Sequence, residues 1–275
     1  MASDGGSNGA PRDAHPDVPV GKRGTALITG ASSGIGYEFS RLFAKDHFDL
    51  ILVARSGDRL AQIADQLSVG CGISVRVIAR DLGQPGAAEA LFAEVEPTAV
   101  DVLVNNAGFG LKGTVAELSA EAQEQMVQLN VVTLTALTRL FLPGMLERWQ
   151  GGILNLASTA AFQPGPLMAV YFATKAYVLS FTEALADEVH GSGVTVTALC
   201  PGPTVTGFAD RAGTAETRLF RGPTMDAATV AAAGYAALKQ GKPLVVPGAR
   251  NRVLAFGTRL APRPVIMRIV RAMHQ

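Results

Sequence analysis

Cysteine is scarce in this chain. Cys71 and Cys200 are the two in 275 residues, both in apolar surroundings, with no Cys-x-x-Cys spacing and no histidine nearby. That excludes a disulfide framework and a thiolate metal site, and it fits a reducing compartment such as the cytoplasm. Charge of one sign is also lacking. The 24 Lys and Arg nearly balance 23 Asp and Glu, for a formal net charge of +1, which argues against nucleic acid as the main partner. No uninterrupted apolar run reaches about 18 residues, so no segment reads as a spanning helix. Residues 1–22 are rich in Gly, Ser, Asp, Pro and Ala and lack the apolar centre of a signal peptide. They read as a disordered leader.

What is present is apolar and regularly punctuated. Hydrophobic residues make up 48% of the chain, enough for a large core if most are inside. Short β-type runs alternate with stretches of helical spacing. The runs are Thr25–Thr29, Leu50–Ala54, Ile73–Ala79, Val100–Val104, Gly152–Ala157 and Gly193–Leu199, with an edge strand at Pro243–Pro247. Alternation of this kind predicts a single α/β domain over residues 23–248, a doubly wound parallel sheet of Rossmann type. A helical pattern opens at Ser119, a suitable N-cap, and runs to about Arg148. Asn130 lies inside it among apolar neighbours and predicts a local break that holds a water.

Candidate functional residues fall where those strands end. The first strand runs into Gly30-Ala-Ser-Ser-Gly34-Ile-Gly36 and then a helix. Glycines let backbone approach a pyrophosphate, and a helix N-terminus offers it free N–H groups. A glycine turn without a ligand is the alternative. Arg55 follows the second strand, where an acidic residue would bond a ribose 2′-hydroxyl. An Arg there favours the 2′-phosphate of NADP(H) over NAD(H), unless it is simply solvated. Asn105 and Asn106 close the fourth strand, as an Asx turn or as a lock on backbone beside a ligand.

Ser158 precedes Tyr171 by thirteen residues, and Lys175 follows it by four. On a helix, positions i and i+4 share a face, so phenol and ammonium point the same way. A nearby cation lowers a phenol's pKa, and such a phenol can pass a proton to or from a carbonyl oxygen near neutral pH. Taken alone, the spacing fits an ordinary amphipathic helix equally well.

Six motifs in register resemble the short-chain dehydrogenase/reductase family, over residues 24 to about 248. They are Thr29–Gly36, Asn105–Gly108, Asn130, Ser158, Tyr171 with Lys175, and Pro201–Gly202. Within the family the chain looks most like the bacterial NADP-preferring group of ketoacyl-reductase-like and hydroxysteroid-dehydrogenase-like members. The resemblance implies roles. Tyr171 is the acid/base, Lys175 lowers its pKa and holds the nicotinamide ribose, and Ser158 orients the substrate oxygen. Asn130 holds a water that links Lys175 to solvent. Gly30, Ser32, Ser33, Gly34, Ile35, Gly36, Asp81, Leu82, Asn106, Ala107, Gly108, Pro201, Gly202 and Thr204 contact the cofactor. A homodimer or homotetramer is expected.

Phe109, Phe162, Met168 and Phe208 are expected to wall a pocket for a lipophilic ketone or secondary alcohol, or else to pack a lid. Residues 249–275 form a basic, amphipathic extension. From Ala227 to Gln275 there are eight Lys or Arg and no Asp or Glu. Such helices can lie on an anionic membrane, pack on a partner subunit or cover their own domain. The expected activity is hydride transfer with a carbonyl/alcohol pair. Its rival is a dinucleotide-binding regulatory module with little turnover.

Overall fold

The computed structural model describes residues 24–96, 98–258 and 261–274; the leader at residues 1–22 lies outside them. Seven strands form one parallel sheet in the order β3-β2-β1-β4-β5-β6-β9. They are β1 (Thr25–Thr29), β2 (Asp49–Ala54), β3 (Val75–Ala79), β4 (Val102–Asn105), β5 (Gly151–Leu156), β6 (Val194–Leu199) and β9 (Leu244–Val245). The order reverses between β1 and β4, and the crevice beyond the carboxyl ends at such a point is where α/β sheets take ligands. The expected doubly wound sheet is therefore present.

The strands are apolar on both faces because both faces are covered. On one side Ile28, Leu52, Val104 and Leu154 pack against α1 (Gly34–Lys45), α2 (Gly57–Cys71) and α9 (Ala227–Lys239). On the other, Leu27, Ile51, Leu103 and Ile153 meet α3 (Ala87–Val95), α5 (Leu134–Glu147) and α6 (Ala169–Glu188). Each fully buried side chain of this size contributes about 1.5–3 kcal/mol.

Buried polar groups tie the centre of the sheet to its helices. Asn105 and Asn155 are register partners on β4 and β5. Asn105 Nδ2 donates to Asn155 Oδ1 at 2.9 Å and to Thr138 Oγ1 on α5 at 3.1 Å, and Asn155 Nδ2 donates to Thr182 Oγ1 on α6 at 3.0 Å. Asn105 thus serves the sheet, while Asn106 serves the site.

The long helix expected from Ser119 to Arg148 is one rod of three parts. α4 (Ala120–Val127) and α5 flank a π-helical segment, Gln128–Thr133, which holds Asn130. Ser119 caps it, accepting from Ala122 N at 3.3 Å. By length and composition Ala120–Glu147 is apolar enough to cross a membrane. The sequence reading passes over it because Gln128, Asn130 and the threonines interrupt its apolar run. Met126, Leu137, Phe141 and Met145 are buried inside the domain.

After β6 the chain makes a small two-stranded ladder, β7 (Thr204–Val205) with β8 (Met225–Asp226), enclosing α7 (Phe208–Ala212) and α8 (Arg218–Arg221). This stretch thus carries its own short elements. The basic extension forms α10 (Ala249–Gly257) and α11 (Arg263–His274). Both turn an apolar face onto this same domain. Ala255 joins Ala157 and Val178, while Ile266 and Val270 join Met168, Tyr171 and Phe172. Their outer faces expose Val253, Leu254, Val265 and Ile269.

Candidate active site

One cavity of about 490 Å³ runs along the carboxyl ends of the strands. At one end lies the glycine turn between β1 and α1. Gly30 and Gly34 have φ of 67° and 55°, the left-handed region that favours glycine. A Cβ at Gly36 would stand 2.3 Å from Gly30 O and 2.5 Å from Asn106 Nδ2. Gly36 therefore lets α1 close onto the turn, and it does not itself line the cavity. Ser33 caps α1 without a side-chain hydrogen bond, so the first-turn N–H groups are left for an anion.

Hydrogen bonds from β4 hold this turn. Asn106 Nδ2 donates to Thr29 O at 2.9 Å and to Gly30 O at 3.2 Å. Thr29 Oγ1 accepts from Asn106 N and Ala107 N, each at 3.0 Å, and donates to Val104 O at 3.1 Å. The sequence places Thr29 only as the first residue of the glycine-turn motif and does not announce these bonds. Ser32, Ser33, Ile35, Arg55, Asp81, Leu82, Asn106, Ala107 and Gly108 line the same wall. Glycine backbone, free helix N–H groups and an exposed Arg55 suit a dinucleotide that carries an extra phosphate. Arg59, in the first turn of α2, donates to Gln62 Oε1 at 3.2 Å.

Ser158, Tyr171 and Lys175 meet in the middle of the cavity, with Pro201, Gly202 and Thr204 beside them. Ser158 stands in extended backbone after β5, and its Oγ accepts from Ala160 N at 3.1 Å. Tyr171 and Lys175 lie one turn apart on α6, 8% and 6% exposed. Lys175 Nζ donates to Leu156 O at 2.7 Å and sits 5.8 Å from the centre of the Tyr171 ring.

Asn130 stands behind this group. Its Nδ2 donates to Phe109 O at 2.9 Å and to Thr174 Oγ1 at 3.2 Å, and its Oδ1 accepts from Phe109 N at 3.1 Å. The π segment thus turns a mid-helix Asn into a clasp between the β4 loop and α6. Gly108 keeps that approach open, since a Cβ there would lie 3.0 Å from Asn130 Oδ1. The water expected at Asn130 is a separate matter; what is seen are three direct bonds to protein.

The expected electrostatics need correction. A lysine-lowered phenol was anticipated, but burial pushes the Tyr171 phenol up, to about 12, and the Ser158 hydroxyl offsets only part of that rise. Burial also pulls the Lys175 ammonium down, to about 8. The physical reason is shared: both groups have left water, and each is driven toward its neutral form.

At the far end the cavity is apolar. Phe109, Met168 and Phe208 line it as expected, joined by Leu219 and Phe220. Phe162 does not. It faces the other way, its ring 6.4 Å from that of Phe256 on α10, because the 3-10 turn Thr159–Phe162 rotates it outward. The last wall comes from the extension, for which covering its own domain was one of three sequence readings. Val270, Met273 and His274 of α11 close this end, and only the amphipathic spacing of that helix hinted at a buried face.

Comparison with known proteins accords with this geometry. Ketoacyl reductase HetN of Nostoc sp. is 35% identical over 180 residues, covering 65% of this chain and 62% of its own length. The matched stretch spans between a half and two thirds of the first curated relatives. A short-chain dehydrogenase from Sphingobium yanoikuyae, solved in complex with NADPH, superposes with a TM-score of 0.79 at 31% identity, over 88% of this chain and 95% of that one. The bulky-bulky ketone specific alcohol dehydrogenase from Comamonas testosteroni gives 0.73 at 29%, over 86% and 92%. The family model described as short chain dehydrogenase matches residues 24–217, and with that match the chain belongs to the short-chain dehydrogenase family.

Proposed function

We propose that this protein is an NADP(H)-dependent oxidoreductase acting on a carbonyl/alcohol pair, with a bulky lipophilic ketone as substrate. One observation carries the reading: Ser158, Tyr171 and Lys175 share a single cavity with the glycine turn and Arg55. The names of the ketoacyl reductase and the bulky-ketone dehydrogenase support the substrate class, and the NADPH complex supports the coenzyme.

The chain's own groups have separable tasks. The glycine turn and the α1 N-terminus bind phosphate. Arg55 offers a fork of donors at the edge, suited to a 2′-phosphate. The apolar walls exclude water from the reacting carbon. Ser158 Oγ holds the substrate oxygen, and the Tyr171 hydroxyl donates its proton to that oxygen as the C–O bond becomes single. A phenol raised to about 12 is protonated at neutral pH, which is the form a reduction requires. The nicotinamide, when bound, supplies the hydride. Lys175, near 8, gains and loses its proton close to neutrality and can restore the proton used.

Kinetics with three proteins test this. Tyr171→Phe should lower kcat about 10²–10⁴-fold and leave the NADPH dissociation constant unchanged. Arg55→Ala should weaken NADPH about tenfold or more, the value of a charge-assisted contact, and leave NADH as it was. Equal loss of both coenzymes would remove Arg55 from the 2′-phosphate site.

Burial of Lys175 gives a third test, on the coenzyme-free protein. Its folded pKa lies below the ordinary value of 10.5, at about 8. The unfolded chain therefore binds more protons between those values, and folding gains stability as pH rises through that window. Relative to Lys175→Met, wild type should gain about 2 kcal/mol between pH 7 and 9.5, read from urea unfolding. A gap that does not change with pH would contradict the burial of that amine. Staying below pH 10 keeps Tyr171 out of the comparison, since its shift costs stability only as pH rises above 10.

A further inference from the structure

The apolar end of the cavity contains a buried imidazole whose presence no catalytic task explains. His274 is 1% exposed and lines the cavity. It belongs to α11, beyond the stretch at residues 24–217 that matches the family model. Its ring packs edge-on against Phe172, 5.4 Å between centres, and Phe172 stands 6.1 Å from Tyr171 in the same manner. His274 is thus two ring-to-ring steps from the catalytic phenol.

Hydrogen bonding fixes the tautomer. Nδ1 lies 3.1 Å from Pro166 O. A carbonyl can only accept, so Nδ1 carries the proton. Burial, helped by the charge of Lys112, holds the imidazole below its ordinary pKa and therefore neutral at pH 7. Nε2 is then a lone-pair acceptor with no protein partner among the described residues. On the cavity wall, such an acceptor is available to a ligand that carries a hydrogen-bond donor.

We infer that His274 Nε2 is a specificity contact for the substrate, accepting a hydrogen bond from a hydroxyl at the end remote from the reacting carbonyl. The ligand class is a ketone with a rigid or bulky apolar body, about two rings long, tipped by a hydrogen-bond donor. This rests on the oxidoreductase reading and narrows its substrate. Gln163, which also lines the cavity, adds polarity on the Pro166 side. Phe109, Met168 and Phe208 would enclose the apolar body between the two polar ends.

The test uses three two-ring ketones with the full-length enzyme and NADPH: 4-acetylbiphenyl, its 4′-hydroxy derivative and its 4′-methoxy derivative. The methoxy compound can accept a hydrogen bond but cannot donate one. Wild type should show a KM about tenfold lower for the hydroxy ketone than for the methoxy ketone, the worth of one hydrogen bond, with similar kcat. His274→Phe, which keeps an aromatic ring against Phe172, should lose that preference while retaining turnover of 4-acetylbiphenyl. His274→Gln, which restores an acceptor, should recover part of it. Reduction of all three ketones by wild type with no preference for the hydroxy compound would overturn the inference alone, whatever the variants do. So would a preference that persists in His274→Phe. Failure of all three to react would overturn the oxidoreductase reading, and the inference with it.

Discussion

Burial of a phenol and an amine side by side is the constraint on which the site depends. Tyr171 and Lys175 are one helical turn apart, nearly sealed from bulk water, at the carboxyl end of a parallel sheet. Desolvation drives each toward its neutral form, so the phenol rises and the amine falls. Neither would hold this position in a loose structure, where water would restore both. Packing on every side maintains it: Met168, Phe172 and Phe208 at the substrate end, and Cys200 and Leu156 toward the sheet.

The remainder of the domain serves that burial at several distances. The sheet is covered on both faces, so its strands hold their register. Paired Asn105 and Asn155 link the two central strands to the helices on one side. Asn106 and Thr29 fix the glycine turn to the neighbouring strand. Asn130, carried by a π segment, fixes the β4 loop to α6 next to Lys175. Five polar residues thus connect strand ends that would otherwise move independently. Binding sites gain from such preorganisation because the ligand does not have to order them.

Much of this was legible in the sequence, for identifiable reasons. Strand–turn–helix periodicity is local, so the doubly wound parallel sheet and the glycine turn could be read directly. Asn130 drew attention because an amide among apolar neighbours is costly, and a break in the helix at that point is what the chain shows. What escaped notice was set by three-dimensional neighbours. Thr29 reads as a strand residue until its hydroxyl is seen to accept from two backbone N–H groups. Phe162 reads as a pocket aromatic until the short 3-10 turn directs it to α10. Spacing correctly placed Tyr171 and Lys175 on one face of α6, but the sign of the phenol's shift depends on burial, which spacing does not report. His274 lies almost at the end of the chain, and nothing in its neighbours announces that α11 folds back over the cavity. The amphipathic pattern of the extension was visible. Its inner face turned out to pack on this same domain.

The central claim is that Tyr171 delivers a proton while the bound coenzyme delivers hydride to the same carbonyl. The most direct measurement is isotopic. Wild type would be incubated with 4-acetylbiphenyl and NADPH dideuterated at nicotinamide C4, and the product carbinol analysed by mass spectrometry. One deuterium on the carbinol carbon, in a product that Tyr171→Phe forms at least a hundredfold more slowly, is the result this account predicts. Carbinol formed without deuterium at that carbon, or formed equally fast by Tyr171→Phe, would contradict it.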